Sequence, residues 1–295
     1  MNTTFKNILY LLNKFILKHI SFELWHHFLF LFNSIRRKSK FYKLNFIKPK
    51  TFNEKILFLK RKKNNNLFSI VADKFLVRDY VSSRIGERYL IPLIWSSSNL
   101  DDLTFEKIKM NSVVKLNNGS GNNYIINEQP SKLEFEKMKA SLANNFHKDF
   151  SLFSREMHYK NISPRILIEN LLDYPLNDYK IFCSNGEPFM IQVDVDRFTN
   201  HTRSFYNLNW EKQEIILNYK TYPKKLNRPK NLNLMTSIAK QLSADFEFCR
   251  IDLYDSNDKV YFGEITLFPG GGVELFENYS MDFDMGKYIV LNDND

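Results

Sequence analysis

Glycine and cysteine are scarce: nine and two, respectively, in 295 residues. Two thiols, Cys183 and Cys249, cannot build the disulfide framework that staples small secreted domains. No cleavable leader pattern heads the chain, so a cytoplasmic protein is expected. Both cysteines sit in strand-like runs and read as buried rather than nucleophilic. The six histidines show no zinc spacing. No Gly-Lys-Ser/Thr opens a helix, which excludes a Walker-type phosphate loop. Residues 5–32 are greasy, but Lys14, Lys18, His19, Glu23, His26 and His27 interrupt them too often for a membrane-spanning helix. The net charge of +9 comes without zinc-finger spacing or an aromatic-glycine RNA-binding pattern, so nucleic acid is not expected as a partner. Internal repeats and long linkers are missing too.

What is present is enough to fold. Hydrophobic residues make up 43% and aromatics 15%, sufficient for two or three packed subdomains. Positive charge gathers early, in Arg36-Arg37-Lys38 with Lys40 and in Lys60-Arg61-Lys62-Lys63, and suits acidic partners such as anionic lipid or an acidic sugar. The front segment has two readings. It is a helix pair packed on the body or on a second copy, which leaves an oligomer open. Otherwise residues 5–40 lie against the inner membrane face as an interfacial anchor.

From Thr51 the local signals sharpen. Thr51 with Glu54 and Ser131 with Glu134 are capping boxes, opening helices to about Lys62 and Phe146. A helix from Ile70 to Ile85 is expected to end at Gly86 in a left-handed cap. Strands are expected over 112–117, 123–127, 165–169, 178–184, 188–194, 247–254 and 259–266, and a helix near 231–243. Asn185-Gly186 reads as a tight hairpin turn. The sum is a mixed, largely antiparallel α+β protein, divided at 1–45, 46–110, 111–168 and 169–295.

With so little glycine, its placement is informative. Gly119 and Gly121 follow the strand lysine Lys115, in Asn118-Gly119-Ser120-Gly121. Such a loop lets backbone amides approach phosphate oxygens while the lysine supplies charge; an ordinary hairpin turn reads equally well. Gly270-Gly271-Gly272 follows a second pattern. Alternation puts Arg250, Asp252 and Tyr254 on one face of their strand, and Glu264 and Thr266 share a face of the next. A loop with an odd number of residues near Asn257 or Asp258 would bring these groups to the same side. Two carboxylates and a hydroxyl are hard oxygen ligands suited to magnesium, and an arginine beside them can hold a phosphate bidentately. A solvated polar face with cross-strand pairs is the plainer alternative.

A strand lysine before a glycine flap, an apolar strand ending in Glu169, then Arg-x-Asp and Glu-x-Thr on a terminal hairpin, in this order, resemble the ATP-grasp fold. The closer similarity is to the TupA-like ATP-grasp proteins of polysaccharide biosynthesis. It rests on Thr51–Lys55, Ala72-Asp-Lys74, Leu90-Ile-Pro92, Val114–Asn117, Ser154-Arg155-Glu156, Asp178-Tyr-Lys180, Asn185–Pro188, Asp194–Arg197, Arg250-Ile-Asp252 and Phe262–Thr266. It covers about Phe46 to the C-terminus and leaves the helical front segment outside. Thr266 departs from the asparagine usual at that position.

The resemblance implies two α+β subdomains clasping ATP, and a carboxylate–amine ligase working through an acyl phosphate. Lys115 would bind phosphates under the Asn118, Gly119, Ser120, Gly121 flap, helped by Lys180. Glu169, Asn170 and Leu171 would line the adenine hinge, with Asp173 near the ribose. Asp252, Glu264 and Thr266 would hold Mg2+, Arg250 would steady the acyl phosphate, and Gly270, Gly271 and Gly272 would cradle the substrate. Arg155, Asp194, Asp196, Arg197 and Arg203 are candidate contacts for a uronic-acid-containing glycan or its amine partner. A kinase acting on a glycan hydroxyl, or a non-catalytic glycan-assembly protein, are the alternative functions.

Overall fold

The computed structural model describes residues 19–37, 39–62, 65–119, 123–173, 176–196 and 200–292. Residues 5–18 of the front segment, Lys38, Lys63, Ser120, Gly121 and Arg197 therefore lie outside the described residues.

Helix α1 (Phe22–Arg37) places His26, Phe30 and Ser34 inward at four-residue spacing, the period of one helix face. Phe30 packs with Leu44, Phe46, Leu57 and Leu275, so this much of the front segment rests on the protein's own body. None of the described helices is long and apolar enough to cross a membrane.

Helix α2 (Phe52–Arg61) begins at the Thr51 capping box, formed in both directions. The helix expected over 70–85 is instead two, α3 (Asn66–Ala72) and α4 (Val77–Ile85). Asp73 breaks it, because its side chain accepts from the Phe75 and Leu76 amides, and such local bonds compete with helix. Gly86 ends α4 with φ +97° and ψ 154°, a positive φ but not the left-handed helical cap expected.

Two antiparallel sheets follow. The smaller has the order β1-β4-β2-β3, with β1 Leu93–Ser97, β2 Ser112–Leu116, β3 Tyr124–Ile126 and β4 Ile166–Asn170. Helix α5 (Lys132–Phe146), opened by the Ser131 capping box, packs on it through Phe135, Met138, Leu142 and Phe146. A short helical turn, α6 (Ser151–Ser154), follows it. The larger sheet runs β10-β9-β5-β6-β7-β8, with β5 Asp178–Ser184, β6 Glu187–Val195, β7 Thr202–Tyr206, β8 Lys212–Gln213, β9 Phe248–Ser256 and β10 Lys259–Thr266. Helix α7 (Leu232–Ser243) covers the face carrying Ile181 and Cys183, whose thiol points at the Ala239 carbonyl. Phe52 of α2 packs on Phe182 and Phe248 at one end of the other face. Helix α8 (Tyr279–Gly286) sits against the start of α2, where buried Asp282 binds the Asn53 amide.

Strands β1, β7 and β8 were not expected. In β7, Thr202, Arg203, Ser204, Phe205 and Tyr206 are all buried, so no apolar–polar alternation marks it. The Asn185-Gly186 turn forms as expected, with both φ positive. Cys183 and Cys249 face each other across β5 and β9, buried and unbonded; burial pushes the Cys183 thiol up to about 12.

Candidate functional site

The site begins with a count of residues. The turn between β9 and β10 holds two residues, Asn257 and Asp258, both with positive φ, and not the odd number expected. A two-residue loop alone would leave Glu264 and Thr266 on the face opposite Arg250 and Asp252. The odd residue lies later, in a β-bulge at Gly263 between Phe262 and Glu264. It resets the register so that Glu264 lies opposite Asp252 and Thr266 opposite Arg250; one added residue flips every side chain beyond it. A Cβ at Gly263 would meet the Asp252 carbonyl and the Tyr254 ring, each at 3.0 Å, so the bulge packs tightly against the strand carrying the acid.

This register builds a charged band across the sheet. Asp252 is opposite Lys180 and Lys180 is opposite Gln192; Asp178 is opposite Asp194, and Asp194 opposite Arg203. Arg250 grips Asp252 with two bonds of 2.6 and 2.7 Å, and Lys180 adds one of 2.5 Å. Burial works upward on the Asp252 carboxyl, but Arg250 and Lys180 outweigh it and hold the group down at about 2. Arg250 also reaches the Thr266 hydroxyl at 3.0 Å and Glu264 at 3.5 Å. Glu264 differs from its partner: its side chain is 47% exposed. These donors fit Mg2+, which takes one or two carboxylates and completes its shell with water and substrate phosphates. Among the described residues no group of three His, Cys, Asp or Glu forms a cage.

Facing this hairpin is the start of the glycine flap. The Asn117 side-chain amide donates to Asp73 and to the Ser163 carbonyl, each at 2.9 Å, and its oxygen accepts from the Arg165 amide. That hub ties the α3–α4 turn to the end of β2. Lys74 thereby lies under the flap, its ammonium 2.5 Å from the Gly119 carbonyl. Burial pulls Lys74 down to about 8, against Glu264, which pulls it up. Sequence reasoning missed this residue as a site group. Its signal was present in Ala72-Asp-Lys74, but reading one continuous helix over 70–85 hid the turn that aims it.

A cavity of about 310 Å³ opens between these parts. Its lining includes Lys74, Gly119, Glu156, Arg250, Glu264 and Thr266, with Gly270 and Gly271 at one wall. Gly270 and Gly271 adopt φ of +56° and +63°, and a Cβ on Gly270 would collide with the Glu274 side chain at 1.9 Å. Gly272 is buried, its missing Cβ 2.8 Å from Leu57.

The other expected residues are distributed as follows. Lys115 pairs with Glu169 at 2.5 Å, and Arg78 reaches the same carboxylate at 3.3 Å. The Asn170 and Leu171 amides donate to the Pro92 and Asn111 carbonyls, so those two donors of the hinge are engaged within the chain. Asp173 accepts from Asn257 of the β9–β10 turn. The Asn118 side chain donates to the Phe146 carbonyl. Asp194 is gripped by Arg203 at 2.7 and 3.2 Å and by Gln192 at 3.1 Å, with His201 3.4 Å away. Burial works upward on that carboxyl, but Arg203 overrides it and lowers the pKa. Arg203 also stands 3.7 Å from Glu274. Asp196 has φ +52° at the end of β6. Arg155, at φ +58°, donates to the Ile20 carbonyl at 3.0 Å.

Two antiparallel α+β units holding a lysine-bearing loop over a carboxylate hairpin make up the ATP-grasp fold. The chain belongs to the TupA-like ATP-grasp family, whose model matches residues 54–290. No curated protein is significantly similar to it in sequence. Solved structures similar to it include D-alanine–D-alanine ligase from Bacillus anthracis (16% identity, TM-score 0.44, covering 76% of this chain and 69% of that one). Others are an L-amino acid ligase from Bacillus licheniformis (16%, 0.43, 68% and 43%) and N5-carboxyaminoimidazole synthetase from Staphylococcus aureus (13%, 0.40, 68% and 45%). The chain spans less than half the length of the last two.

Proposed function

We propose that this protein is an ATP- and Mg2+-dependent carboxylate–amine ligase whose acid is a uronic-acid unit of a bacterial surface polysaccharide or its precursor. The observation that carries the reading is the bulge-set register, which puts Arg250, Asp252, Glu264 and Thr266 on one face opposite Lys74 and Gly119.

The chemistry divides into two displacements. A carboxylate oxygen attacks the terminal phosphorus of ATP and ADP leaves. An amine nitrogen then attacks the acyl carbon, phosphate leaves with the acyl oxygen, and the amine gives up its proton. Both steps need charge neutralisation and positioning more than a strong base. Lys74 beneath the flap and Lys115 would neutralise phosphate oxygens, and Lys180 would add charge from the larger sheet. Arg250, held by two bonds to Asp252, would present its guanidinium to the acyl phosphate. Bound Mg2+ would lie on Asp252 and Glu264 with Thr266 beside them, and would supply Lewis-acid stabilisation of phosphate charge. Glu169, Asn170, Leu171 and Asp173 would border the base and ribose.

The test is release of ADP and phosphate from ATP–Mg2+ over a panel of uronic acids crossed with amino acids and small amines. Release that needs both an acid and an amine, and that falls with Lys74→Met, supports the reading. Turnover with glycan hydroxyls and without amide product favours a kinase, and a chain that binds no ATP contradicts both.

A further inference from the structure

A second cavity, of about 590 Å³, adjoins the first, and Glu156, Gly270 and Gly271 line both. Its character is different. One wall is the outer face of α1, where Phe28, Leu29, Phe32 and Arg36 follow Trp25 by three, four, seven and eleven residues. The eleven helical rises from Trp25 to Arg36 make a stripe about 16 Å long. The other wall carries Val273, Ser154 and Lys60. Lys60 is 4% exposed; it donates to the Gly271 carbonyl at 2.9 Å and sits 3.2 Å from His26. The stripe is part of a larger apolar face: Leu24, Phe28, Leu31, Phe32 and Ile35 are 63%, 54%, 41%, 53% and 70% exposed. Contiguous exposed apolar surface of this kind marks a binding site, and the volume is that of a ligand pocket.

We propose that this groove holds the apolar chain of an amphiphilic substrate, whose anionic head enters the polar cavity past Gly270 and Gly271. The inference rests on the ligase reading for the head and adds the substrate class: a long aliphatic or isoprenoid chain joined to a phosphate- or carboxylate-bearing head. Three features select this occupant. The groove is concave and adjoins the reaction cavity, which a flat membrane surface or a second copy of the chain would not require. Among the described residues the two cavities share Glu156 and the Gly270–Gly271 backbone, so a molecule lying in the groove lies against residues that border the candidate reaction centre. Lys60, whose ammonium meets the Gly271 carbonyl at the shared wall, complements an anionic head there and not a neutral lipid.

The probe is dodecyl phosphate, below its micelle concentration, compared with butyl phosphate by calorimetry on the full chain. The wild-type protein should bind the longer chain at least about tenfold more tightly, since buried methylenes add favourably. In Phe28→Asp/Phe32→Asp, whose side chains are exposed, the gain should fall below about threefold while ATP–Mg2+ affinity stays within about twofold. Equal affinity for the two phosphates overturns the proposal, as does a gain that survives the double substitution. It is also overturned if the gain appears only after residues 1–18 are deleted, because that segment is then the occupant. Sedimentation with anionic phospholipid vesicles without dodecyl phosphate binding overturns it too, in favour of a bilayer. The ATP–Mg2+ titration fails separately if the ligase reading itself is wrong.

Discussion

Asp252 and Glu264 oppose each other across one ladder in unlike settings. Asp252 is 3% exposed and is the counter-charge of both Arg250 and Lys180. Removing one partner of a buried ionic network typically costs about 3–5 kcal/mol, so Asp252→Ala should lower stability by that order in urea unfolding. Glu264 is half-exposed, and Glu264→Gln should change stability by no more than about 0.5 kcal/mol. The same change should cut ATP-dependent phosphate release at least about a hundredfold. Lys74 gives a pH signature. In the folded chain it loses its proton near 8, and in the unfolded chain near 10.5. The unfolded chain therefore binds the extra proton between those values. Lys74 thus costs stability below pH 8, and the cost is relieved as pH rises toward 10.5. ATP favours the charged ammonium, so its affinity should fall above pH 8 by up to about tenfold per pH unit. Calorimetry at pH 7, 8 and 9 should show that slope in the wild type and none in Lys74→Met. Alternation made Arg250, Asp252, Glu264 and Thr266 legible from sequence. Lys74 was not, because it lies in a turn fixed by Asp73 and Asn117, residues 44 apart in the chain.

The deciding element is the β9–β10 hairpin. The odd residue expected in the loop near Asn257 or Asp258 sits instead at Gly263, which reads in the sequence as an ordinary strand residue. Bulges are set by tertiary packing, and here the neighbour is the Asp252 carbonyl. Inserting one alanine between Gly263 and Glu264 should keep the turn and move Glu264 and Thr266 to the opposite face. Mg2+-dependent ATP binding should then be lost while the far-ultraviolet circular dichroism stays that of the wild type. Retained binding would show that this register does not set the site. The capping boxes at Thr51 and Ser131 were legible because a cap is local. Strand β7 was not, because burial on both faces erased its period.

At the scale of the whole molecule, the two sheets and the cavity between them make nucleotide binding a stability term. Ligand at a hundred times its Kd adds about 2.7 kcal/mol, so ATP with Mg2+ should raise the melting temperature of the wild type. It should do so far less in Glu264→Gln. The element types were readable, but the sheet orders were not: β4 lies between β1 and β2, a choice made by long-range pairing that no local pattern encodes. The central claim is that a carboxylate is phosphorylated before an amine displaces phosphate. Supplying a turned-over acid labelled with 18O in both carboxylate oxygens tests it directly. The account predicts one 18O in each phosphate released. Unlabelled phosphate alongside ADP would contradict it.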